Sequence, residues 1–389
     1  MSMRRVVCGI SGGVDSAVSA LLLKKKGFDV VGLFMKNWDI RDERGKCSVD
    51  EDREDAEFVC RTVGVPLYEV DFVKQYWNEV FSDLVKDYEN GVTPNPDILC
   101  NRHIKFNHFV HHAETKLGAD AIATGHYART SAGYDLDRID PDVGVSLLCA
   151  KDEEKDQTFF LSQIPQWALQ KSIFPLGDLL KHQVKEIATE AGMERIARKK
   201  ESMGICFIGS RNFHSFIEEY IEPKEGNFLD VETGAVVGTH KGSHYWTLGQ
   251  RCHLPGFRAA YFVCEIRPDT QDILVAPGTG HPALFTDSFL SGPGHWIQGP
   301  PNAANPDSAF HAQFRFQHRH RLIACSGVGN DAGGYSISLE RPMRAVTPGQ
   351  YAVFYRDNTC LGSARIVQLG QTLFDRNVKD TVVFPKDLS

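Results

Sequence analysis

Six consecutive residues near the start of the chain, Ser11-Gly12-Gly13-Val14-Asp15-Ser16, have the types and order to hold a phosphate. They follow a short apolar run, Val6 to Ile10, that reads as a strand. They open a helical pattern with Val18, Leu21 and Leu22 on one face. The glycine pair lets the backbone turn sharply and bring its N–H groups close to a ligand. The helix N-terminus behind it attracts anions, and Ser11 and Ser16 add hydroxyl donors. No Gly-Lys-Ser/Thr closes the loop, so it is not a Walker loop and has no lysine of its own to reach terminal phosphates. The G-x-G-x-x-G spacing of a dinucleotide fingerprint is missing as well. A Gly-rich turn without a ligand is the plain alternative; six positions in register directly after an N-terminal strand weigh against it.

Three further stretches carry chemistry: Asn95-Pro96-Asp97 with Cys100, Lys155-Asp156-Gln157, and Cys206 inside Ser202-Met203-Gly204-Ile205-Cys206-Phe207. Taken singly, each has an ordinary reading. Asn-Pro-Asp is a common turn and cap, Lys-Asp-Gln could be a solvated helix start, and Cys206 between Ile205 and Phe207 could be core. The ten cysteines form no C-x-x-C, so zinc-ribbon and ferredoxin-like spacings are absent. Without a secretory signal, free thiols in a reducing compartment are expected, most of them small buried apolar residues. The net charge is −7, so a nucleic-acid partner must be met by local basic patches and not by a global field. One such patch is Phe314-Arg315-Phe316-Gln317-His318-Arg319-His320-Arg321, basic with interleaved aromatics, which suits phosphate contact and base stacking; a charged, outward-facing strand is its plain reading. No apolar run approaches membrane-spanning length.

The elements that must position these residues alternate. After the loop helix come a strand at Val30 to Met35, a helix from a capping box at Ser48 and Glu51, and a strand at Leu67 to Phe72. Ala56, Val59, Cys60 and Val63 form the core face of that helix. A long amphipathic helix from Val73 to Tyr88 carries Tyr76, Trp77, Val80, Phe81, Leu84 and Tyr88, read as core. Pro94 and Pro96 fix an extended turn, Asp97 caps a helix running to about Lys116, and Asp120 to Thr124 is a fourth strand ending in Gly125-His126-Tyr127-Ala128-Arg129. Such alternation gives a doubly wound parallel sheet, whose ligands bind at the carboxyl ends of the strands. Residues 133–142 read as a loop between short strands, and helical text runs from Lys151 to about Arg198. A helix at Asn212 to Tyr220 leads into Gly-rich strands, and β alternation without helices follows from Phe285. With 389 residues, two or three domains are expected: residues 1–210 as a nucleotide-binding α/β domain, 211–280 as a small central α+β domain, and 281–389 as a β-barrel.

The loop resembles the SGGxDS pyrophosphate loop of enzymes that split ATP between the α and β phosphates, making an adenylate. Synthetases for argininosuccinate, GMP and NAD share it, adenylate small carboxyl or carbonyl substrates, and need no paired cysteines; they are the runner-up. Over nearly the whole chain the sequence resembles the tRNA-specific 2-thiouridylases. The likeness runs through Gly9 to Ser16, Met35-Lys36-Asn37-Trp38, Thr93 to Asp97, Cys100-Asn101, Lys105-Phe106, Ala123 to Arg129, Lys155-Asp156-Gln157 and Gly204 to Gly209. It continues through Tyr245-Trp246-Thr247-Leu248-Gly249-Gln250-Arg251 and Pro348-Gly349-Gln350-Tyr351-Ala352-Val353-Phe354-Tyr355.

That resemblance implies exchange of oxygen for sulfur at C2 of the wobble uridine of tRNAs for Lys, Glu and Gln. AMP transfer to the C2 oxygen makes it a leaving group, and a cysteine persulfide delivers the sulfur. By the same resemblance Gly9, Ile10, Ser11, Gly12, Gly13, Val14, Asp15, Ser16, Met35 and Gly125 hold ATP, with Mg²⁺ on its phosphates. Cys206 carries the persulfide. Cys100 acts as acid, or attacks the persulfide and leaves a transient Cys100–Cys206 disulfide. Asn95, Pro96 and Asp97 meet the target base, and Asp97 handles protons. Lys155, Asp156, Gln157, Arg315 and Phe316 touch tRNA. No protein-held metal is expected, although Asp97, Cys100 and Cys206 would also serve an iron–sulfur cluster. A non-catalytic tRNA-binding protein with a relict loop is a further alternative, against which Asp15, Cys100 and Cys206 speak. Met35-Lys36-Asn37-Trp38, Lys155 to Gln163 and Glu201 to Gly204 look like the animal branch, which works in mitochondria. A monomer fed by a persulfide relay from a cysteine desulfurase is expected.

Overall fold

The computed structural model describes residues 3–38, 48–140, 142–200, 213–301 and 308–380. The chain folds as two compact units: Met1–Phe81, Pro96–Ser210 and Asp357–Leu361 form the first, and Ser82–Asn95, Arg211–Arg356 and Gly362–Ser389 the second.

The first unit is built on a parallel sheet. Strand β1 (Arg5–Gly9) lies between β2 (Asp29–Lys36) and β4 (Ala121–Ala123); β3 (Leu67–Asp71) is outside β2, and Ser172–Ile173 is outside β4. Val6, Val7 and Cys8 are all fully buried, as a central strand covered on both faces requires, so β1 reads as a continuous apolar run. Val6, Cys8 and Ile10 pack with α1 (Val14–Lys25), α2 (Ser48–Val63) and the helix Lys181–Glu190 in one core; Ala17, Val59, Cys60 and Val184 belong to it. Asp15 in the first turn of α1 and Lys24 and Lys25 in the last suit its dipole. Leu21 and Leu22, read as core-facing, are only half-buried; Ala17, Val18, Ser19, Ala20 and Leu23 are the fully buried positions of this helix. Val7 and Gly9 point to the other face. There Phe109 comes within 3.6 Å of where a Gly9 Cβ would sit.

The four sequence-read strands and the core face of α2 are found. The fifth strand, Ser172–Ile173, is two residues long and lies in text read as helical. That text resolves into Thr158–Leu161, Gln166–Leu169, Lys181–Glu190 and Glu194–Arg198. The long helix from Val73 is interrupted by a wide π-type turn at Trp77–Phe81, beyond which Ser82–Glu89 belongs to the second unit. Trp77 is 42% exposed, so it is not core.

In the second unit a five-stranded sheet runs in the order Arg251–Cys252, Tyr261–Arg267, Asp272–Pro277, Gly226–Asp230, Val236–His240. The sequence from Phe285 closes into a barrel: Phe285–Trp296, Tyr335–Arg344, Ile323–Gly329, Phe310–Arg315, Tyr351–Arg356 and Thr359–Leu369, which returns to Phe285–Trp296. Its interior holds Phe289, Phe314, Ile337, Phe354 and Ile366. The architecture is the expected one: a nucleotide-type parallel sheet, a small central domain and a C-terminal barrel.

Candidate active site

The carboxyl ends of β1, β2 and β4 bring together the loop after Gly9, the segment at Met35 and the turn at Gly125. Gly12 has φ +72°, a conformation that favours glycine. A Cβ there would also lie 2.5 Å from the Asp52 carbonyl oxygen, so the loop is pressed against α2. Gly13 is the N-cap of α1 and supplies no capping side chain, so none covers the first-turn N–H groups. The Ser16 hydroxyl donates to the Gly13 carbonyl at 3.0 Å and accepts from the Ser11 N–H at 3.2 Å, which fixes the loop from inside. A Cβ on Gly125 would fall 2.8 Å from the Ser16 nitrogen and 2.9 Å from the Asp15 carbonyl carbon. Gly125 therefore forms a wall against the loop that only glycine fits. Met35 Cε lies 3.7 Å from the Gly9 Cβ position. Ile10 and Val14 are buried in the core and hold the loop through packing.

Asp15 is one-third exposed and meets two partners. Lys181 Nζ stands 2.8 Å from each carboxylate oxygen, and the Tyr127 hydroxyl donates to Oδ1 at 2.9 Å. Tyr127 is held in turn by Gln157, whose Oε1 accepts its N–H at 3.0 Å and whose own N–H donates to its carbonyl at 2.8 Å. Lys181 stands at the loop, and the sequence reading did not single it out. The signal available was a loop with no lysine of its own, together with a lysine opening the helix after the Pro175-Leu176-Gly177 turn.

Asp97 and Cys100 follow from a helix that starts at Pro96, not after an Asp97 cap. Pro96 fits a first helical position, where its missing N–H costs nothing. A wide π-type stretch, Cys100–His108, broken at Phe106 (φ −110°, ψ 22°), then leads into Phe109–Leu117. Wide turns of this kind concentrate at functional sites. Cys100 is buried. Burial pushes the Asp97 carboxyl above the usual carboxylate range, and the nearby Lys105 ammonium opposes this. Lys105 Nζ is 3.4 Å from His126 Nε2, and Thr124 Oγ1 is 2.8 Å from His126 Nδ1. Burial, then Lys105, pushes His126 well below its ordinary value, so its ring is neutral.

Asn95 belongs to the second unit and is gripped there. Its amide donates to Gln350 Oε1 at 3.0 Å, while Gln350 Nε2 donates to the carbonyls of Thr93 and Pro94 at 3.0 and 2.9 Å. Thr93 Oγ1 also meets Thr247 Oγ1 at 3.2 Å. Three motifs far apart in sequence thus converge on the residues leading into Asp97.

Two residues expected to touch tRNA have buried side chains. Asp156 is 3% exposed, and its carboxylate accepts from the Ala150 N–H at 2.9 Å and the Thr158 hydroxyl at 2.7 Å, which shapes the turn. Phe314 and Phe316 are fully buried in the barrel because alternate positions of that strand and its extension point inward, so Phe316 offers no face for stacking on a base. Arg315 is half-buried, with its guanidinium 4.9 Å over the Tyr355 ring and donating to the Tyr355 hydroxyl at 3.0 Å. Cys206 lies outside the described residues. Among the described residues no cluster of three or more His, Cys, Asp or Glu side chains is placed to hold a metal, and no helix is long and apolar enough to cross a membrane.

Three family profiles match in succession: the tRNA methyl transferase HUP domain over residues 4–210, the tRNA methyl transferase PRC-barrel domain over 214–277, and the aminomethyltransferase beta-barrel domain over 286–366. The curated relatives span all three. The chain is 51% identical to mitochondrial tRNA-specific 2-thiouridylase 1 of Gallus gallus, covering 95% of this chain and 93% of that one. It is 51% identical to the Drosophila melanogaster protein of the same name (94% of each) and 48% identical to the Homo sapiens one (96% and 92%). The profile descriptions speak of methyl transfer, but the relatives that match over nearly their whole length are named as thiouridylases. With half its residues identical over nearly its whole length, the chain belongs to the family of the mitochondrial tRNA-specific 2-thiouridylases.

Proposed function

We propose that this protein is a tRNA-uridine 2-sulfurtransferase acting on the wobble uridine in mitochondria. The observation that carries the reading is the Ser11–Ser16 loop at the end of β1, walled by Gly125, in a chain half identical to thiouridylases. Uracil C2 is a urea-like carbonyl whose oxygen leaves poorly. The C2 oxygen attacks the α-phosphorus of ATP held on the loop, pyrophosphate leaves with the bonding pair, and the N3 proton passes to Asp97. Burial has already raised the affinity of that carboxylate for a proton. Mg²⁺, held on the phosphates, supplies charge neutralisation when bound.

Cys206 carries sulfur as a persulfide. The Cys100 thiolate attacks Cys206 Sγ, the persulfide S–S bond breaks, and the outer sulfur leaves as sulfide. That sulfide adds to C2, and AMP departs with the former carbonyl oxygen. The Cys100–Cys206 disulfide left behind is reopened by two electrons from a thiol reductant. Lys155 and Arg315 contact tRNA, while Asp156, Gln157 and Phe316 hold them in place. The substrates are tRNAs for Lys, Glu and Gln, and the sulfur comes from a persulfide relay fed by a cysteine desulfurase. The protein acts as a monomer, with domain boundaries at 210/211 and 280/281.

The test is thiolation of an unmodified tRNA-Lys transcript with ATP, Mg²⁺ and a persulfide donor, read on a mercury-retardation gel with AMP counted alongside. Wild type is expected to give thiolated RNA and AMP, and Cys206→Ser to make AMP without thiolation, because water hydrolyses the adenylate back to uridine in place of sulfide. Free sulfide should bypass Cys206→Ser. AMP formation without any thiolated RNA from the wild type would overturn the substrate assignment in favour of a small-molecule synthetase.

A further inference from the structure

The loop that cradles phosphate contains no lysine, yet a lysine stands at it. We propose that Lys181 is the phosphate-contacting cation of the adenylation step, supplied from 166 residues beyond Asp15; this rests on the ATP reading above. Lys181 is the first residue of the helix Lys181–Glu190. Its root is fixed, because its backbone N–H donates to Asp152 Oδ2 at 2.8 Å. Its head is 12% exposed and sits 2.8 Å from both oxygens of Asp15, the second residue of α1, 5.6 Å from the centre of the Tyr127 ring. The ammonium is therefore aimed at the N-terminal end of α1, where the Ser11–Ser16 backbone turns.

An ion pair with a one-third exposed carboxylate adds little to stability, so stability alone is a weak reason to bury this lysine. Asp15 instead keeps the seat of an anion. A polyphosphate brings more charge than one carboxylate, and Lys181 transfers its hydrogen bonds to it. As the uracil oxygen bonds to the α-phosphorus and the bond to pyrophosphate breaks, negative charge grows on the non-bridging and leaving oxygens. A fixed ammonium stabilises that charge more than it stabilises bound ATP, and it keeps its own proton throughout. The loop thus obtains from a remote helix what a Walker loop carries within itself.

The experiment compares wild type, Lys181→Met and Lys181→Arg in the full chain. ATP affinity is measured with α,β-methylene ATP, and adenylation by single-turnover pyrophosphate release on unmodified tRNA at saturating ATP; a thermal melt confirms folding. Lys181→Met is expected to slow pyrophosphate release by about 10²- to 10³-fold and weaken nucleotide binding by less than about tenfold, with Lys181→Arg recovering part of the rate. A Lys181→Met rate within threefold of wild type overturns the proposal, as does a loss confined to nucleotide affinity. If Lys181→Met does not fold, Lys181→Arg decides: a wild-type rate with a guanidinium in place is the expected partial rescue carried to completion, and a rate no better than that of Asp15→Ala overturns the proposal. A wild type that neither binds the analogue nor releases pyrophosphate sinks the ATP reading itself, which is a separate result.

Discussion

Two turns of the N-terminal unit each carry an aspartate and use it in opposite ways. In Ser11–Ser16, Asp15 is one-third exposed and bonded to a lysine and a tyrosine, groups on side chains that can release it. In Lys155-Asp156-Gln157, Asp156 is buried and bonded to a backbone N–H and a neighbouring hydroxyl of the same turn. Both turns stand out in the sequence. Only the partners separate a residue kept for a ligand from one that keeps a turn in shape. Gln157 joins the two, since it clamps the main chain of the Tyr127 that reaches Asp15.

The comparison can be broken at four places. Gly125→Ala should have the largest effect: its methyl group would press on the Ser16 nitrogen and the Asp15 backbone, and AMP formation should fall by about 100-fold or more with only a small change in Tm. Asp156→Ala should show the reverse balance. It leaves the Ala150 N–H and the Thr158 hydroxyl without their acceptor, at a cost of about 2–3 kcal/mol in urea unfolding, while the nucleotide affinity of the folded fraction is kept. Gln157→Ala removes one neutral hydrogen bond to Tyr127 and should cost about 1 kcal/mol, together with a modest loss of adenylation rate. A wild-type rate in that variant would cut the link drawn between the two turns.

The smallest effect has the opposite sign. Folding raises the proton affinity of Asp97, so its ionised form weakens the folded state once the pH exceeds the folded-state pKa. Asp97→Asn should therefore raise Tm at pH 7. The gain should shrink as pH falls through the folded value and vanish below about 3.9, where the carboxyl is protonated in both states. The same variant should lose activity. An unchanged or lower Tm at pH 7 would show that Asp97 is not held against its ionisation.

What the sequence made legible was contiguous. The loop, its strand and its helix lie within 22 residues, and α2 carries its core face in plain 3.6-residue spacing. The barrel showed through β alternation and turn residues. What escaped depends on packing. A two-residue strand at Ser172–Ile173 has no periodicity to read. The wide turns at Trp77–Phe81 and Cys100–His108 keep helical composition while changing the hydrogen-bond step. The inward direction of Asp156 and Phe316 is a matter of burial, and Lys181 reaches Asp15 only because two helices meet at one sheet edge.

The grip of Gln350 on Thr93, Pro94 and Asn95 bears on how the protein is made. The bond between Asn95 and Gln350 spans 255 residues of chain. On a ribosome adding roughly 5–20 residues per second, the residues leading into Asp97 wait on the order of tens of seconds for the partner that fixes them. Until then Asn95 and the two carbonyls before it lack this partner, and closing so long a loop is slow and entropically costly. A nascent chain stalled short of residue 350 would already hold the whole Ser11–Ser16 loop but lack the Gln350 clamp on Thr93, Pro94 and Asn95, so the loop is in place long before the clamp.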